Sequence, residues 1–249
     1  MWRTIRMAGI FVAGLGLLAA PGEAHMRDYV LSEPYYTAKR GECEVELRNQ
    51  VNFAEADSSG SYNSNHQAEL EYGLTDHLQL AYYEVYKWDR VDDWQRDAFK
   101  LEAKLRFAEA GDWPVDIALY TEYENPNGRR ASDSDEVENK VILSKDFGPW
   151  NVTGNFIFTK EINAGSHWKY EYTAGISYGL TPRTRVGLEL QQGLGDSKDF
   201  AFNDTQALYL APGLYTNVTP HVRVLVSPVF GLTRVSDDIQ LRSIVEVEF

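Results

Sequence analysis

The chain has 249 residues, of which 43% are hydrophobic, and this excludes a helical protein that crosses a membrane several times. Asp and Glu number 37 and Lys and Arg 24, so the formal net charge is −13. An acidic surface repels phosphate backbones, and we therefore expect no nucleic-acid partner. Aromatic residues nevertheless make up 13% of the chain, and Tyr is the most frequent of them.

The first 24 residues have the pattern of a secretory signal peptide. Arg3 and Arg6 form a positive region, residues 7–20 are an apolar run, and Gly22 and Ala24 are small residues before the predicted cleavage point. The run is shorter than the roughly 20 residues that a transmembrane helix needs. We expect a signal peptide at 1–24 and export of a chain that begins at His25.

A short segment, residues 25–40, separates the predicted signal from the first predicted strand. It contains Tyr29, Tyr35 and Tyr36 together with Pro34. We call it the N-terminal arm and expect it on the periplasmic side. Two arrangements stay open at this point, a flexible leader or an arm that packs under the following domain or partly plugs it.

From residue 41 onward, apolar and polar residues alternate, as in β-strands with one apolar and one polar face. The segment 99–107, which reads FKLEAKLRF, shows the pattern clearly. Cys43 is the only cysteine, so no disulfide can form within the chain. The alternation predicts twelve strands, at 42–53, 66–73, 78–88, 95–107, 115–125, 136–146, 151–161, 168–178, 184–193, 205–214, 221–232 and 239–249.

The connections between these strands alternate between five short turns and six longer polar loops. The loops are 54–65, 89–94, 126–135, 163–167, 194–204 and 234–238. Both chain ends then lie on the short-turn side, which is the topology of an outer-membrane barrel with an even number of strands. We therefore expect residues 41–249 to form an all-β, transmembrane, antiparallel up-and-down β-barrel of about 12 strands.

Two further features favour a barrel in lipid over a soluble sandwich, which would also alternate. The tryptophans after the predicted signal all lie at predicted strand ends, where indole rings settle at membrane interfaces. These are Trp88, Trp94, Trp113, Trp150 and Trp168. The last strand ends in Phe249 with apolar residues at alternate positions before it, which resembles the C-terminal signal that the bacterial barrel-assembly machinery recognises. The expected location is the outer membrane of a Gram-negative bacterium, and the expected partners are its lipid and that machinery.

Two of the short turns are similar to each other. Residues 72–80 read YGLTDHLQL and residues 178–186 read YGLTPRTRV. Both resemble the recurring YGLT turn of small porin-like transporter barrels, including the family described as "MetA-pathway of phenol degradation". The resemblance implies a channel or uptake role. We expect Gly73 and Gly179 to close these turns in a left-handed conformation.

Two sequence patterns of barrel enzymes are absent from this chain. Phospholipase and deacylase barrels carry a His that is followed two residues later by a Ser on a lipid-exposed strand, and no His-x-Ser occurs here. The only Asp-His pair, Asp76-His77, lies in a short turn rather than at the outer rim that omptin-like proteases use. His25 could chelate copper at a new N-terminus, but no Met- or His-rich tract accompanies it. We expect no enzymatic activity, no cofactor and no metal.

The polar strand faces are expected to line a lumen. The residues predicted to line it are Glu44, Glu46, Arg48, Glu69, Glu71, Glu102, Lys104, Glu122, Lys140, Glu171, Arg185, Glu189, Arg223 and Arg242. The same register adds Asp116, Glu124, Glu138, Asp146, Glu246, Glu248, Lys100, Arg106 and Lys169, which gives fourteen acids and nine bases. An excess of carboxylates favours cations. We expect polar exchange at Glu102 and Glu189 to be tolerated.

The expected function is passive passage of small solutes, with a preference for cations, through an outer-membrane channel or porin-like transporter. A non-conducting structural or surface-binding barrel is the alternative.

The topology predicts which residues react with an impermeant thiol reagent on whole cells. Cysteines introduced at Ser59, Ser132 and Ser197 lie in long loops and should be labelled, whereas a cysteine at Asp112 lies in a short turn and should not. Labelling of Asp112→Cys on intact cells would show that the orientation is wrong.

Overall fold

The computed structural model describes residues 28–53, 62–89, 93–127, 133–202 and 205–249. The predicted signal peptide, His25 with the next two residues, and the labelling positions Ser59 and Ser132 lie outside the described residues. Ser197 and Asp112 are described, and both are exposed. Within these ranges, no helix is long and apolar enough to span a bilayer.

Twelve antiparallel strands form one closed barrel, in which each strand pairs with its neighbours in sequence and β12 pairs with β1. The strands are β1 Cys43–Phe53, β2 Tyr62–Gly73, β3 Leu78–Asp89, β4 Asp93–Arg106, β5 Asp116–Pro126, β6 Glu136–Phe147, β7 Trp150–Glu161, β8 Lys169–Thr181, β9 Thr184–Asp196, β10 Leu208–Thr219, β11 Val222–Gly231 and β12 Ile239–Glu248. The predicted fold class is confirmed.

Two strands differ from the predicted boundaries by more than three residues at one end. β2 begins at Tyr62, and β10 continues to Thr219, five residues beyond its predicted end at 214. The end of β10 contains Thr216 and Asn217, which are common in turns. Here they pair across the sheet with Val224 and Arg223, so the ladder continues through residues that look like a turn.

The alternation separates an outer and an inner surface. Leu101 and Leu188 point outward and are 50% and 44% exposed, whereas their neighbours Glu102 and Glu189 point inward and are 4% and 1% exposed. Apolar side chains therefore cover the outside of the barrel, and charged and other polar side chains line much of the inside. This is the reverse of a soluble barrel, whose interior holds the apolar side chains.

Aromatic side chains mark the two ends of the outer surface. Trp94 and Trp168 lie exposed at the end that carries the long loops, and Trp113 and Trp150 lie exposed at the end that carries the short turns. Trp88 ends the same hairpin as Trp94, and the two residues are cross-strand partners. The rings form two bands, as expected for side chains at membrane interfaces.

The expectation of left-handed residues at Gly73 and Gly179 is wrong. Among the described residues, the glycines with positive φ are Gly41, Gly111, Gly148, Gly165 and Gly195. Gly73 is needed for another reason, since a Cβ there would overlap the backbone carbonyl of Lys39. A side chain at this position would force the arm away from the turn.

An arginine introduced on the outer surface should destabilise the barrel more than an arginine introduced on the inner surface. Leu188→Arg places a charge on the apolar outer surface and should lower the free energy of unfolding by about 2–4 kcal/mol. The matched control, Gln191→Arg, adds the same charge on the inner surface of β9, where Gln191 already donates to Glu171 at 2.9 Å. Urea unfolding from lipid vesicles measures both values, and equal losses would contradict the assignment of the two surfaces.

Candidate functional site

The candidate site is the lumen of the barrel. All fourteen residues predicted to line it occupy inward positions of their strands. They come from nine of the twelve strands, and the search for charges missed the contribution of β3, β7 and β10. There the wall is built from buried uncharged side chains, among them Gln79, Tyr83, Asn151, Asn155 and Tyr215. A search for inward amides and phenols on the same alternation would have found them.

Ion pairs compensate many of the charges in the wall. Arg48 lies 2.7 Å from both Glu46 and Glu69. Further round the wall, between β4 and β5, Lys100 lies 2.8 Å from Glu122. Burying a charge without a partner is costly, so these pairs reduce the cost of placing charges in the lumen. They also hold long side chains across the inside of the barrel.

The wall formed by β12, β1 and β2 remains strongly acidic. Two rows of three glutamates cross these strands as direct backbone partners, Glu248–Glu44–Glu71 and Glu246–Glu46–Glu69. Like charges directly opposite each other repel. Carboxylate oxygens of Glu46, Glu69 and Glu71 all lie within 4.8 Å of one another, the one such group of three among the described residues. Oxygens at this spacing could share a cation.

The described part of the arm, residues 28–40, lies inside the barrel. Val30 packs against Tyr215, Leu225 and Ile244. Further along the arm, Tyr35 is 2% exposed. It packs against three inward apolar residues of β5 and β6, namely Ala118, Tyr120 and Ile142. The arm therefore has two apolar anchors in a lumen that is otherwise polar.

Glu189 holds the middle of the arm. Its carboxylate accepts the backbone N–H groups of Val30, Leu31 and Ser32 at 2.7, 2.8 and 2.8 Å. The hydroxyl of Tyr215 also donates to Oε1 of Glu189 at 3.0 Å. A strand side chain thus replaces the water that these three amides would bind in solution. Because these contacts need both carboxylate oxygens, we expect polar exchange at Glu189 to disturb the arm, which differs from the expectation drawn from strand alternation alone.

Glu33 of the arm reaches a basic part of the wall. Its carboxylate lies 2.8 Å from Nζ of Lys104 and 3.9 Å from Nη1 of Arg48. The backbone of Glu33 is bound on both sides by Asn155, which accepts its N–H at 2.6 Å and donates to its carbonyl at 3.0 Å. The wall therefore binds the carboxylate of Glu33 and also its backbone N–H and C=O groups.

Asp28 and Tyr29 fix the start of the described arm near the short turns. Asp28 lies 3.0 Å from Nε of Arg185. Burial raises the pKa of Asp28 to about 6, and the Arg185 guanidinium opposes this rise. The hydroxyl of Tyr29 donates to Oδ1 of Asn151 at 2.8 Å. Its ring occupies the space above Gly175, where a Cβ would overlap it.

The arm fills most of the lumen at the end with the short turns. Between arm and wall there is a cavity of about 30 Å³, enough for one or two water molecules, beside Glu44, Glu46 and Glu71. Towards the long loops the lumen widens into a cavity of about 140 Å³. It is lined by arm and wall residues that include Leu31, Glu33, Arg48, Gln67, Lys140 and Arg242. The arm forms the floor of this larger cavity.

No family model and no curated protein matches the sequence. Among solved structures, an outer membrane channel from Pseudomonas putida F1 has a TM-score of 0.63 at 14% identity, over 88% of this chain and 100% of that chain. The NanC porin has a TM-score of 0.55 at 11% identity, over 82% and 98% of the two chains. The KdgM porin in complex with disordered oligogalacturonate has a TM-score of 0.56 at 12% identity, over 83% and 98%. The chain has the fold of outer-membrane β-barrel channels.

The contacts of Glu189 predict how firmly the arm is held. Ser32 is 0% exposed, and its hydroxyl has no hydrogen-bond partner, so Ser32→Cys fits the site and should react slowly with a thiol reagent. In a Cys43→Ala background, Glu189→Ala should raise the labelling rate roughly 10- to 100-fold, because one hydrogen bond to a charged group contributes about 1.5–3 kcal/mol. The matched control is Glu171→Ala, whose hydrogen bond goes to Gln191 of the wall. Fast labelling in the absence of Glu189→Ala would show that the arm is not docked.

Proposed function

We propose that this chain is a channel of the bacterial outer membrane that passes small solutes passively, prefers cations, and is closed by its own N-terminal arm. The observation that carries the proposal is the division of the barrel into an apolar outer surface and a charged, polar lumen. A closed sheet with these two surfaces satisfies its backbone in lipid and presents polar groups to a solute.

The shared fold with outer-membrane channels supports the same conclusion. Three of the similar structures are described as a channel or a porin, and they match over at least 82% of this chain. The KdgM porin was solved with oligogalacturonate, which is a property of that protein. For this chain we propose outer-membrane lipid and the barrel-assembly machinery as partners, and a signal peptide at 1–24 as the route of export.

The cation preference follows from the charges of the lumen. The rows of glutamates on β12, β1 and β2 place six carboxylates on one part of the wall. The arm carries two further acids, Asp28 and Glu33. Carboxylates around a narrow polar passage attract cations and repel anions. We propose that a cation passes along the acidic part of the wall once the arm leaves the lumen.

The arm is proposed to be the gate. It lies between the larger cavity and the short turns, so a solute has to displace it or wait for it to leave. Its contacts are hydrogen bonds, ion pairs and two small apolar clusters, with no covalent attachment other than the chain itself. Such a segment can undock without unfolding the barrel.

The second candidate function is a non-conducting barrel, and the filled lumen is the observation that favours it. In that case the arm is a permanent plug that completes the packing of the interior. The two functions differ in what happens when the arm is released, so the same variant tests both.

Planar-bilayer recording of the refolded protein tests the gate. The unmodified chain should conduct weakly, and Glu189→Ala should open more often because it removes the acceptor of three arm amides. Glu171→Ala leaves the arm contacts intact and should not produce this rise. If Ser32→Cys becomes reactive in Glu189→Ala but no current appears, the arm has left a barrel that does not conduct.

Reversal potentials in a salt gradient test the selectivity of the open Glu189→Ala channel. They should show a preference for cations that weakens when Glu46 and Glu71 are also changed to Gln, because the acidic rows then lose two charges. A preference for anions would overturn this part of the proposal.

A further inference from the structure

A group of polar side chains lies on the outer surface of the barrel, where most neighbours are apolar. Asn49 on β1 and His66 on β2 are direct cross-strand partners. Ser64 lies two residues before His66 and therefore on the same face of β2. This is the face of the exposed Leu47, Leu70 and Tyr72, and not the face of the lumenal Glu69. Polar groups in an apolar belt are costly unless they bind one another.

The three side chains form a connected chain of hydrogen bonds. Nδ1 of His66 lies 2.8 Å from Oδ1 of Asn49, and Nε2 lies 2.9 Å from Oγ of Ser64. An amide oxygen can only accept, so with this amide orientation Nδ1 carries the ring proton. Nε2 is then left with a lone pair that accepts the hydroxyl proton of Ser64. This is the order of nucleophile, base and orienting group that activates a serine.

The three side chains lie at the level of the aromatic band on the outer surface of the barrel. The ring of His66 lies 4.7 Å from the ring of Trp94, centroid to centroid, and Ser64 is the cross-strand partner of Trp88. Both tryptophans belong to the aromatic band at the long-loop end. Indole rings settle at the boundary between headgroups and acyl chains. The ester carbonyls of glycerolipids lie at this boundary, so Ser64 lies level with them.

Further polar residues continue the patch around the barrel. Tyr86 on β3 is the partner of His66, and Arg96 on β4 is the partner of Tyr86. Arg96 is held by Glu84 through two hydrogen bonds of 2.6 and 2.8 Å. The patch therefore places the phenol of Tyr86 beside His66, and the guanidinium of Arg96 two strands away from His66.

We propose that Ser64, His66 and Asn49 form a catalytic site for hydrolysis of the carboxylic esters of membrane lipids, separate from the channel. Ser64 Oγ attacks the carbonyl carbon while His66 Nε2 takes its proton. The tetrahedral intermediate breaks the bond to the alcohol, which leaves with the proton from His66. Water, deprotonated by His66, then attacks the acyl-serine, and fatty acid and free Ser64 are released.

Asn49 acts through His66 and is a positioning residue. It fixes the ring tautomer and the ring orientation, as the third member of such a group does. Ser64 is 8% exposed, and the indole of Trp94 lies against the same imidazole. An incoming ester therefore has to displace neighbouring side chains before it reaches the hydroxyl.

The proposal is tested on the refolded full chain with two measurements. In micelles or vesicles, hydrolysis of a phospholipid with a fluorescent acyl chain should be at least about 100-fold slower in Ser64→Ala and in His66→Ala. A fluorophosphonate probe should form a covalent adduct on Ser64 of the unmodified protein, located by peptide mass spectrometry. The matched control Ser197→Ala removes an exposed serine at the same end of the barrel and should keep full activity.

The role of Asn49 is tested by rescue. Asn49→Ala should lower kcat and shift the pH profile of hydrolysis, whereas Asn49→Asp, which keeps an acceptor oxygen, should restore most of the rate.

Three outcomes would overturn the proposal: no hydrolysis and no adduct in the unmodified protein, hydrolysis that persists in Ser64→Ala, or an adduct on another residue. The adduct is measured on the unmodified protein, so the proposal can be overturned even if a variant fails to fold. Channel conductance should be unchanged in Ser64→Ala, and a failure of either function can therefore be recognised separately.

Discussion

The structure depends on the pairing of β12 with β1. In hydrocarbon there is no water to satisfy the edge of a sheet, and each open N–H or C=O group costs free energy. The ten residue pairs between these strands, from Glu44 with Glu248 to Phe53 with Ile239, remove both edges at once. Closure also creates the lumen, because twelve strands enclose more space than their own side chains fill. The pairing brings three glutamates together in each of two rows, so closure and acidity of the lumen come from the same contact.

The backbone N–H and C=O groups of the arm also need hydrogen-bond partners, and they find them in another way. Inside the lumen its backbone has no strand to pair with, so wall side chains take over. Glu189 binds three consecutive amides, Asn155 binds both groups of Glu33, and Gln79 accepts the N–H of Ala38 at 2.8 Å. Buried backbone groups need such partners. A segment held by side chains rather than by a ladder is the part of this barrel best suited to move.

The two proposed functions use different surfaces of the barrel, and the surroundings of these surfaces differ. In the lumen, charges compensate one another and can meet ions and polar solutes. On the outside, the polar patch around His66 faces the boundary of lipid headgroups and acyl chains. One wall of β1 and β2 serves both, since alternate residues of the same strands point to opposite sides. Glu46, Arg48 and Glu69 face the lumen, while Asn49, Ser64 and His66 face outward.

The twelve strands, and the division of each strand into two faces, follow from the amino-acid sequence, because a period of two is a property of a single strand. The alternation puts Leu101 and Glu102 on opposite faces, and the tryptophans at strand ends together with the terminal Phe249 assign the apolar face to lipid. Which side chains meet across the barrel depends on how the strands and the arm are arranged in three dimensions. Val30 binds Glu189, 159 positions away, and no local pattern encodes that contact. The meeting of Asn49 with His66 depends on the register of β1 and β2, since a slip of one residue turns one of the two side chains into the lumen.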